Sequence, residues 1–310
     1  MRPVPSRRLR LLNAILRHVI KPKLARTPGP LEARIAFDRA ARLGFRRPPF
    51  LLHLVDAGSP KIHWISSGAP KGRRVILYFH GGAYFAGSPW THCGLVGRLS
   101  RLTRWRAAMP EYRRAPEDPA PAAFEDARAA HDRLMGLGLR ADEIVVAGDS
   151  AGGGRALALL ADLCARGRQP AGAVVFSPWV DLTLSGVSLS TNAAADPIMV
   201  AERAHDVAGY VLGTNGVAAD DPRVSPLFAA FASPPPVLLH VGASEVLRDD
   251  AVRMADRLRK SGGRVLLEEW PDVPHAWQLF DGWIPEARDA LRGAAAFVQD
   301  LDRSSGPQQG

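Results

Sequence analysis

The stretch from Glu143 to Leu163 constrains this chain more than any other. Glu143-Ile144-Val145-Val146-Ala147 is short, β-branched and bounded like a buried strand. Gly148-Asp149-Ser150-Ala151-Gly152 follows, a G-x-S-x-G pentapeptide. Arg155-Ala156-Leu157-Ala158-Leu159-Leu160-Ala161-Asp162-Leu163 then reads as a helix. Strand, sharp turn and helix around a serine make a nucleophile elbow. The flanking glycines let the backbone turn tightly and let the helix pass close by. Ser150 is thereby presented at a helix N-terminus, where partial positive charge favours a developing anion.

The rest of the chain repeats the same alternation. Strands are predicted at Ile62–Ser66, Arg74–His80, Arg104–Met109, Glu143–Gly148, Ala173–Ser177, Val237–Val241 and Arg264–Glu269. Helices are predicted at about Pro121–Gly136, Ala151–Arg166, Asp250–Ser261 and Glu286–Leu301. The fold class is α/β, with a mainly parallel central sheet flanked by helices. Two regions break the pattern: residues 1–45, helical ahead of the first strand, and residues 184–233, a proline-containing insertion with a helical pattern near Val200–Leu212. Both suit a helical cap over the C-terminal edge of the sheet, where α/β proteins bind ligands. The domain reading is cap helices at 1–45, core at 46–183, cap insertion at 184–233, core at 234–303 and a frayed tail at 304–310.

The net charge of +9 is concentrated at one end. Residues 1–31 carry eight basic side chains and no acid, while the remaining 32 basic and 31 acidic residues nearly balance. The charge balance of the body therefore implies no basic face for nucleic acid. Leu9, Leu12, Ile15, Leu16, Val19 and Ile20 fall at roughly helical spacing within the basic arm. The arm reads as a cap helix packing that stripe on the protein, with contact to a membrane surface as the lesser alternative. Arg17 and His18 interrupt the apolar run, which argues against a signal peptide, and no segment reaches transmembrane length. Cytoplasmic location is the resulting expectation, as a monomer or homodimer. Cys93 and Cys164 are the two cysteines, too few for a disulfide framework and expected as buried thiols.

A serine hydroxyl needs a base, and the base an orienting acid. Around an elbow of this kind they follow in the order Ser, acid, His. Of the histidines after Ser150, His205 falls in the insertion and His240 inside a strand, where a core role fits better. His275 lies in a turn after the last predicted strand and is the candidate base. Three carboxylates follow Val237–Val241: Glu245, Asp249 and Asp250. Glu245 comes first off the strand and leads; Asp249 and Asp250 stay as alternatives at a helix start, where capping acids are common. Donors for the oxyanion are expected from the N–H of Ala151 and from the glycine-rich loop His80-Gly81-Gly82-Ala83.

These motifs together resemble the hormone-sensitive-lipase-like, or bacterial family IV, esterases of the α/β hydrolases, through most of residues 60–300. The family's His-Gly-Gly-Gly is matched by His80-Gly81-Gly82-Ala83, and its Gly-Asp-Ser-Ala-Gly-Gly by Gly148 to Gly153. Tyr112-Arg113-Arg114-Ala115-Pro116-Glu117, Ser177-Pro178-Trp179-Val180-Asp181-Leu182 and Gly242 to Asp249 match three further motifs, the last with Glu245 at the acid position. The resemblance implies Ser150 as nucleophile, His275 as base and Glu245 as its acid. It implies Gly81, Gly82, Ala83 and Ala151 around the oxyanion, His80 as a loop-fixing residue, and Arg113, Glu117 and Asp181 as structural ion-pair or hydrogen-bond residues. It implies no metal or organic cofactor.

The resemblance implies as substrate a small carboxylic ester of short to medium acyl chain, or a small cyclic one. Tyr84, Trp90, Trp179, Met199 and Trp277 are candidate pocket residues because they lie near the catalytic loops or in the insertion. Competing readings are an inactive small-molecule-binding protein on the same scaffold, a serine peptidase, and a lactone hydrolase or membrane-associated lipase variant. Three residues depart from the family pattern. Ala83 replaces a glycine and is expected at ordinary φ; Glu245 is one methylene longer than aspartate; Arg155 places a charge early in a mostly buried helix.

Overall fold

The computed structural model describes residues 4–304. Eight strands form one sheet in the order β1-β2-β4-β3-β5-β6-β7-β8. They are β1 (Leu51–Val55), β2 (Ile62–Ser67), β3 (Val75–Phe79), β4 (Arg106–Pro110), β5 (Ile144–Asp149), β6 (Gly172–Phe176), β7 (Val237–Gly242) and β8 (Val265–Trp270). β2 runs antiparallel to both β1 and β4, and all other pairings are parallel. The α-helices are α1 (Arg7–Ile15), α2 (Lys21–Ala25), α3 (Pro30–Gly44), α4 (Pro89–Thr103), α5 (Ala122–Gly136), α6 (Ala151–Ala165), α7 (Ser188–Thr191), α8 (Ala204–Leu212), α9 (Arg248–Lys260) and α10 (Pro285–Ser304).

Alternation along the buried strands divides the core in two. Val75, Leu77 and Phe79 of β3 and Ile144 and Val146 of β5 face α5, α6 and α9. Ile76 and Tyr78, with Val145 and Ala147, face α4 and α10. Helices on both faces are what a mainly parallel sheet requires, because neither face can meet water. The register sets Phe79 beside Gly148 and Asp149 beside Phe176. The C-terminal ends of β3, β5 and β6 therefore lie side by side, and the loops that leave them converge.

Two core elements fall outside the sequence-based expectation. Strand β1 is an edge strand whose outward residues Leu52 and Leu54 are exposed, so its five residues show no clean apolar–polar alternation. Helix α4 contains Gly94 and Gly97, which lower helix propensity and blur the apolar period. Its start is nevertheless strongly specified: Ser88 caps it, Thr91 completes the capping box, and Pro89 occupies the first turn.

The N-terminal segment behaves differently on its two sides. Helix α1 continues through a π-helical turn, Leu16–Ile20, into α2. Leu9 is buried with Val273, Trp277 and Ile284, and Leu16 is buried too, whereas Leu11, Ile15 and Val19 are exposed. The packed stripe is thus narrower than the sequence suggests. Polar contacts complete the attachment. Ser6 donates its N–H to Glu286 at 2.7 Å. Arg17 donates to the carbonyls of Ala194 and Ala195, and Lys21 to those of Ala193 and Asp196, all at 2.7–2.8 Å. The expected tail reaches Ser304 at the end of α10; its other residues lie outside those described. Cys93 and Cys164 are free and buried. Among the described residues no helix is long and apolar enough to cross a membrane.

Candidate active site

Ser150 sits between β5 and α6 with φ 52° and ψ −125°. A serine rarely adopts such a backbone, and holding it there costs about 1–3 kcal/mol. The surroundings hold it firmly: its N–H donates to Phe176 at 2.8 Å, and its carbonyl accepts from Gly154 and Trp179 at 3.0 Å. Close packing at the elbow excludes a side chain at Gly152, where a Cβ would lie 2.1 Å from the Phe79 carbonyl oxygen.

His275 lies beyond β8, and its Nε2 is 2.8 Å from Ser150 Oγ. Its Nδ1 is 2.7 Å from Glu245 Oε2. With Nδ1–H donating to the carboxylate, Nε2 is left as the acceptor facing the serine. Burial alone would push the imidazole's pKa down. The hydrogen bond and charge of Glu245, with Asp196 and Asp149 further off, outweigh this and hold it above the ordinary histidine value. Glu245 is itself fully buried. Its Oε1 accepts from Ser177 Oγ at 2.7 Å and from the Gly242 N–H at 2.6 Å. The carboxylate is therefore compensated on both oxygens, as a buried charge must be.

The other sequence candidates have different duties. Asp249 accepts from the Ser188 N–H, and Asp250 from the N–H groups of Val180 and Asp181. His240 is buried in β7 and stacks on Trp277; His205 is exposed on α8. Arg113 pairs with Asp126, Glu117 with Arg34 and Asp181 with Arg253, all within 3.0 Å.

The glycine-rich loop needs correction at two positions. Gly81 was a candidate oxyanion donor, but its N–H points back to Asp149 Oδ1 at 3.0 Å. Asp149 is buried and also accepts from Tyr78 Oη at 2.7 Å, so the carboxylate claims that N–H to satisfy itself. Ala83 was expected at ordinary φ, but its φ is 52°, and Tyr84 follows at 64°. Two consecutive left-handed residues turn the loop, and its return past Ala86 leaves no room for a side chain at Gly82, whose φ is 124°. The N–H groups of Gly82, Ala83 and Ala151 have no hydrogen-bond partner among the described residues. His80 braces the loop: its ring stacks on Tyr112 at 4.3 Å, and its carbonyl accepts from Tyr112 Oη at 2.6 Å.

Beside this loop is an apolar cavity of about 60 Å³, lined by Ala83, Trp179, Leu184, Leu189, Met199 and Val246 among others. Trp179 and Met199 are thus wall residues. Tyr84 stands behind the wall, its hydroxyl donating to the Trp179 carbonyl at 3.1 Å. Two candidates lie elsewhere. Trp277 is fully buried against Leu9 and Ile284, because the chain turns inward straight after His275. Trp90, in the first turn of α4, is 52% exposed and lies against His53 with a tilted ring at 3.9 Å. Arg155, unexplained from sequence, places its guanidinium 4.3 Å over the Tyr112 ring and 5.3 Å from Tyr84. Faces of two rings offset the burial of that charge.

Sequence reasoning passed over three supporting residues. Ser177 holds Glu245 and also accepts the Ala276 N–H at 3.1 Å; its place directly after a strand was the available signal. Asp149 organises the glycine-rich loop, and its place beside Ser150 was the signal. Asp196 accepts from the N–H groups of Ile198, Met199 and Val246, and nothing in its local sequence marks it.

Fold and comparison agree on the class. A family model described as the α/β hydrolase fold matches residues 76–279, so the protein is an α/β hydrolase. An acetyl-hydrolase of Streptomyces hygroscopicus is 38% identical over 275 residues, covering 86% of this chain and 88% of its own. An esterase of Acinetobacter venetianus is 31% identical over 293 residues, covering 94% and 95%. A crystal structure of an esterase from the bacterial hormone-sensitive lipase family superposes with a TM-score of 0.88 at 32% identity, covering 96% of this chain and 99% of that one. The chain belongs to this hormone-sensitive-lipase family of bacterial esterases and is a carboxylic ester hydrolase.

Proposed function

We propose that the protein is a serine carboxylesterase working through Ser150, His275 and Glu245 on small esters of short to medium acyl chain or small cyclic esters. The unbroken hydrogen-bond chain from Ser150 Oγ through His275 to Glu245 carries this reading. His275 Nε2 takes the serine proton as Oγ attacks the ester carbonyl. The oxyanion accepts from the free N–H groups of Gly82, Ala83 and Ala151, and each such donor contributes about 3–4 kcal/mol of barrier lowering. The imidazolium, steadied by Glu245, protonates the departing alcohol. Water then attacks the acyl-enzyme with His275 again as base, releasing the acid and Ser150.

Acyl size follows from the cavity. Its apolar walls favour an alkyl group, and about 60 Å³ accommodates few carbons without movement. The name acetyl-hydrolase borne by the Streptomyces relative supports the short end of the range. Residues 4–45 and the insertion at 184–233 act as the cap over this cavity in our reading. Wild type and Ser150→Ala assayed on p-nitrophenyl esters of rising chain length test it. The expected result is activity that peaks at short acyl chains in wild type and is lost in the variant. Retained turnover by Ser150→Ala would overturn it.

A further inference from the structure

The outward side of the N-terminal helix combines exposed apolar and basic side chains. Leu11, Ile15 and Val19 follow one another at four-residue steps and are 64%, 45% and 45% exposed. At that spacing they share a face, opposite the buried Leu9 and Leu16. Arg7, Arg8 and Arg10 flank them; all three are exposed and have no ion-pair partner among the described residues. An apolar groove of about 530 Å³ runs beside the helix, between Leu11 and Ile15 on one wall and Phe280 and Trp283 on the other, with Arg8 and Arg46 at its rim. Trp283 is 42% exposed, and the Arg46 guanidinium lies 4.1 Å over its ring. Next to Gly44, which also lines the groove, Leu43 is 87% exposed.

We propose that this face docks on the surface of an anionic lipid bilayer. Charge complementarity selects the occupant: residues 1–31 hold eight basic side chains and no acid, in a chain whose remaining charge is nearly balanced. Arginines are interleaved there with leucine and isoleucine. They suit a bilayer boundary, where long cationic stems lie along the apolar surface and the heads reach lipid phosphates. A partly exposed tryptophan in the groove wall is the side chain that favours that depth. Docking there is peripheral, since the helix lies in the interface plane rather than crossing it. It also bears on the insertion. Arg17 and Lys21 of the same segment hold the carbonyls of residues 193–196, and Met199 of the cavity wall follows directly. A surface-bound arm would hold that insertion at the lipid boundary, where apolar esters collect.

The experiment is co-sedimentation of the full chain with vesicles. One set is phosphatidylcholine alone, and the other contains about one-third phosphatidylserine, each at low and at about 0.5 M salt. Wild type should partition at least about tenfold more onto the anionic vesicles at low salt and lose most of that preference at high salt. Leu11→Gln with Ile15→Gln should reduce binding to both sets. Arg7→Gln, Arg8→Gln and Arg10→Gln together should abolish the preference for anionic lipid. All variants should melt within a few degrees of wild type, because the side chains changed are exposed. Equal sedimentation with and without vesicles would overturn the proposal, as would binding indifferent to both variant sets. A concentration-dependent dimer in ultracentrifugation that Leu11→Gln with Ile15→Gln dissociates would also overturn it, assigning the face to a second copy.

Discussion

Ser177 and Glu245 are joined by a 2.7 Å hydrogen bond between residues 68 positions apart, and the same serine oxygen accepts the Ala276 N–H beside the base. One hydroxyl thus positions Glu245 and the loop of His275 together. Ser177→Ala should lower kcat by about 10–100-fold with KM little changed, because it disturbs alignment rather than substrate contact. A KM rise of similar size would refute this assignment.

Removing the charge of Glu245 tests both the acid and its electrostatics. Glu245→Gln should reduce kcat by about 10³–10⁴. The wild-type acid limb of kcat/KM should lie above pH 6.5, since His275 must be neutral to act and its pKa is held above that ordinary value. Without the carboxylate, burial prevails and the limb should move to lower pH. Asp249→Asn should leave both rate and profile within about threefold of wild type.

Asp250 makes stability depend on pH in a definite sense. Burial pushes its pKa from 3.8 up to about 7, with Asp181 adding to the rise while Val180 N–H and Arg253 oppose it. A carboxyl that binds its proton more tightly when folded destabilises the fold as pH rises from about 4 to about 7. Asp250→Asn keeps an oxygen for the two N–H donors and does not ionise. Its melting temperature should therefore gain on wild type across that interval and run parallel above it, a difference of at most about 4 kcal/mol. A constant offset across the interval would count against it.

Ala83 occupies a backbone well that glycine enters freely. Ala83→Gly should change stability by less than about 1 kcal/mol, because the relieved strain and the added freedom of the unfolded chain oppose each other. Ala83→Val should destabilise by more and depress activity on every ester, since a β-branched residue resists positive φ. Thermal melts of the two variants decide the matter.

Cavity shape should govern chain length. Met199→Trp fills the wall facing Trp179. It should shift the p-nitrophenyl ester profile toward acetate, with butyrate and longer chains losing about tenfold or more relative to acetate. An unchanged profile would place the acyl group elsewhere.

The core of the fold was legible because its strands are buried on both faces and its motifs sit at strand ends. Val145 and Val146 or Leu238 and Leu239 cannot be read as surface. Ser150, Glu245 and His275 could be singled out because each lies in the first turn beyond a strand. The donor loop was less legible: its backbone angles and the diversion of the Gly81 N–H depend on Asp149, 68 residues away. Trp90 and Trp277 show the limit of sequence proximity. Each stands within a few residues of a catalytic loop, yet chain direction after the loop decides which way an indole faces. Asp196 reaches Val246, 50 residues on, and the Arg17 and Lys21 contacts join segments more than 170 residues apart; no local pattern announces either.

The seat of Leu9 among Val273, Trp277, Ile284, Ala287 and Ala290 has a consequence for biosynthesis. The first helix leaves the ribosome long before the residues that bury it, and Ser6 waits still longer for Glu286. During translation β5 and α6 can assemble around Ser150, while the amphipathic first helix stays uncovered until residues 273–290 emerge. A nascent chain stalled before residue 273 would lack His275 beside Ser150 and Glu245 and would present an uncovered basic helix. Contacts this distant in sequence also make folding slow relative to helical bundles of similar size. The same helix therefore marks completion: once it is seated, both the last strand's loop and the C-terminal helix are in place.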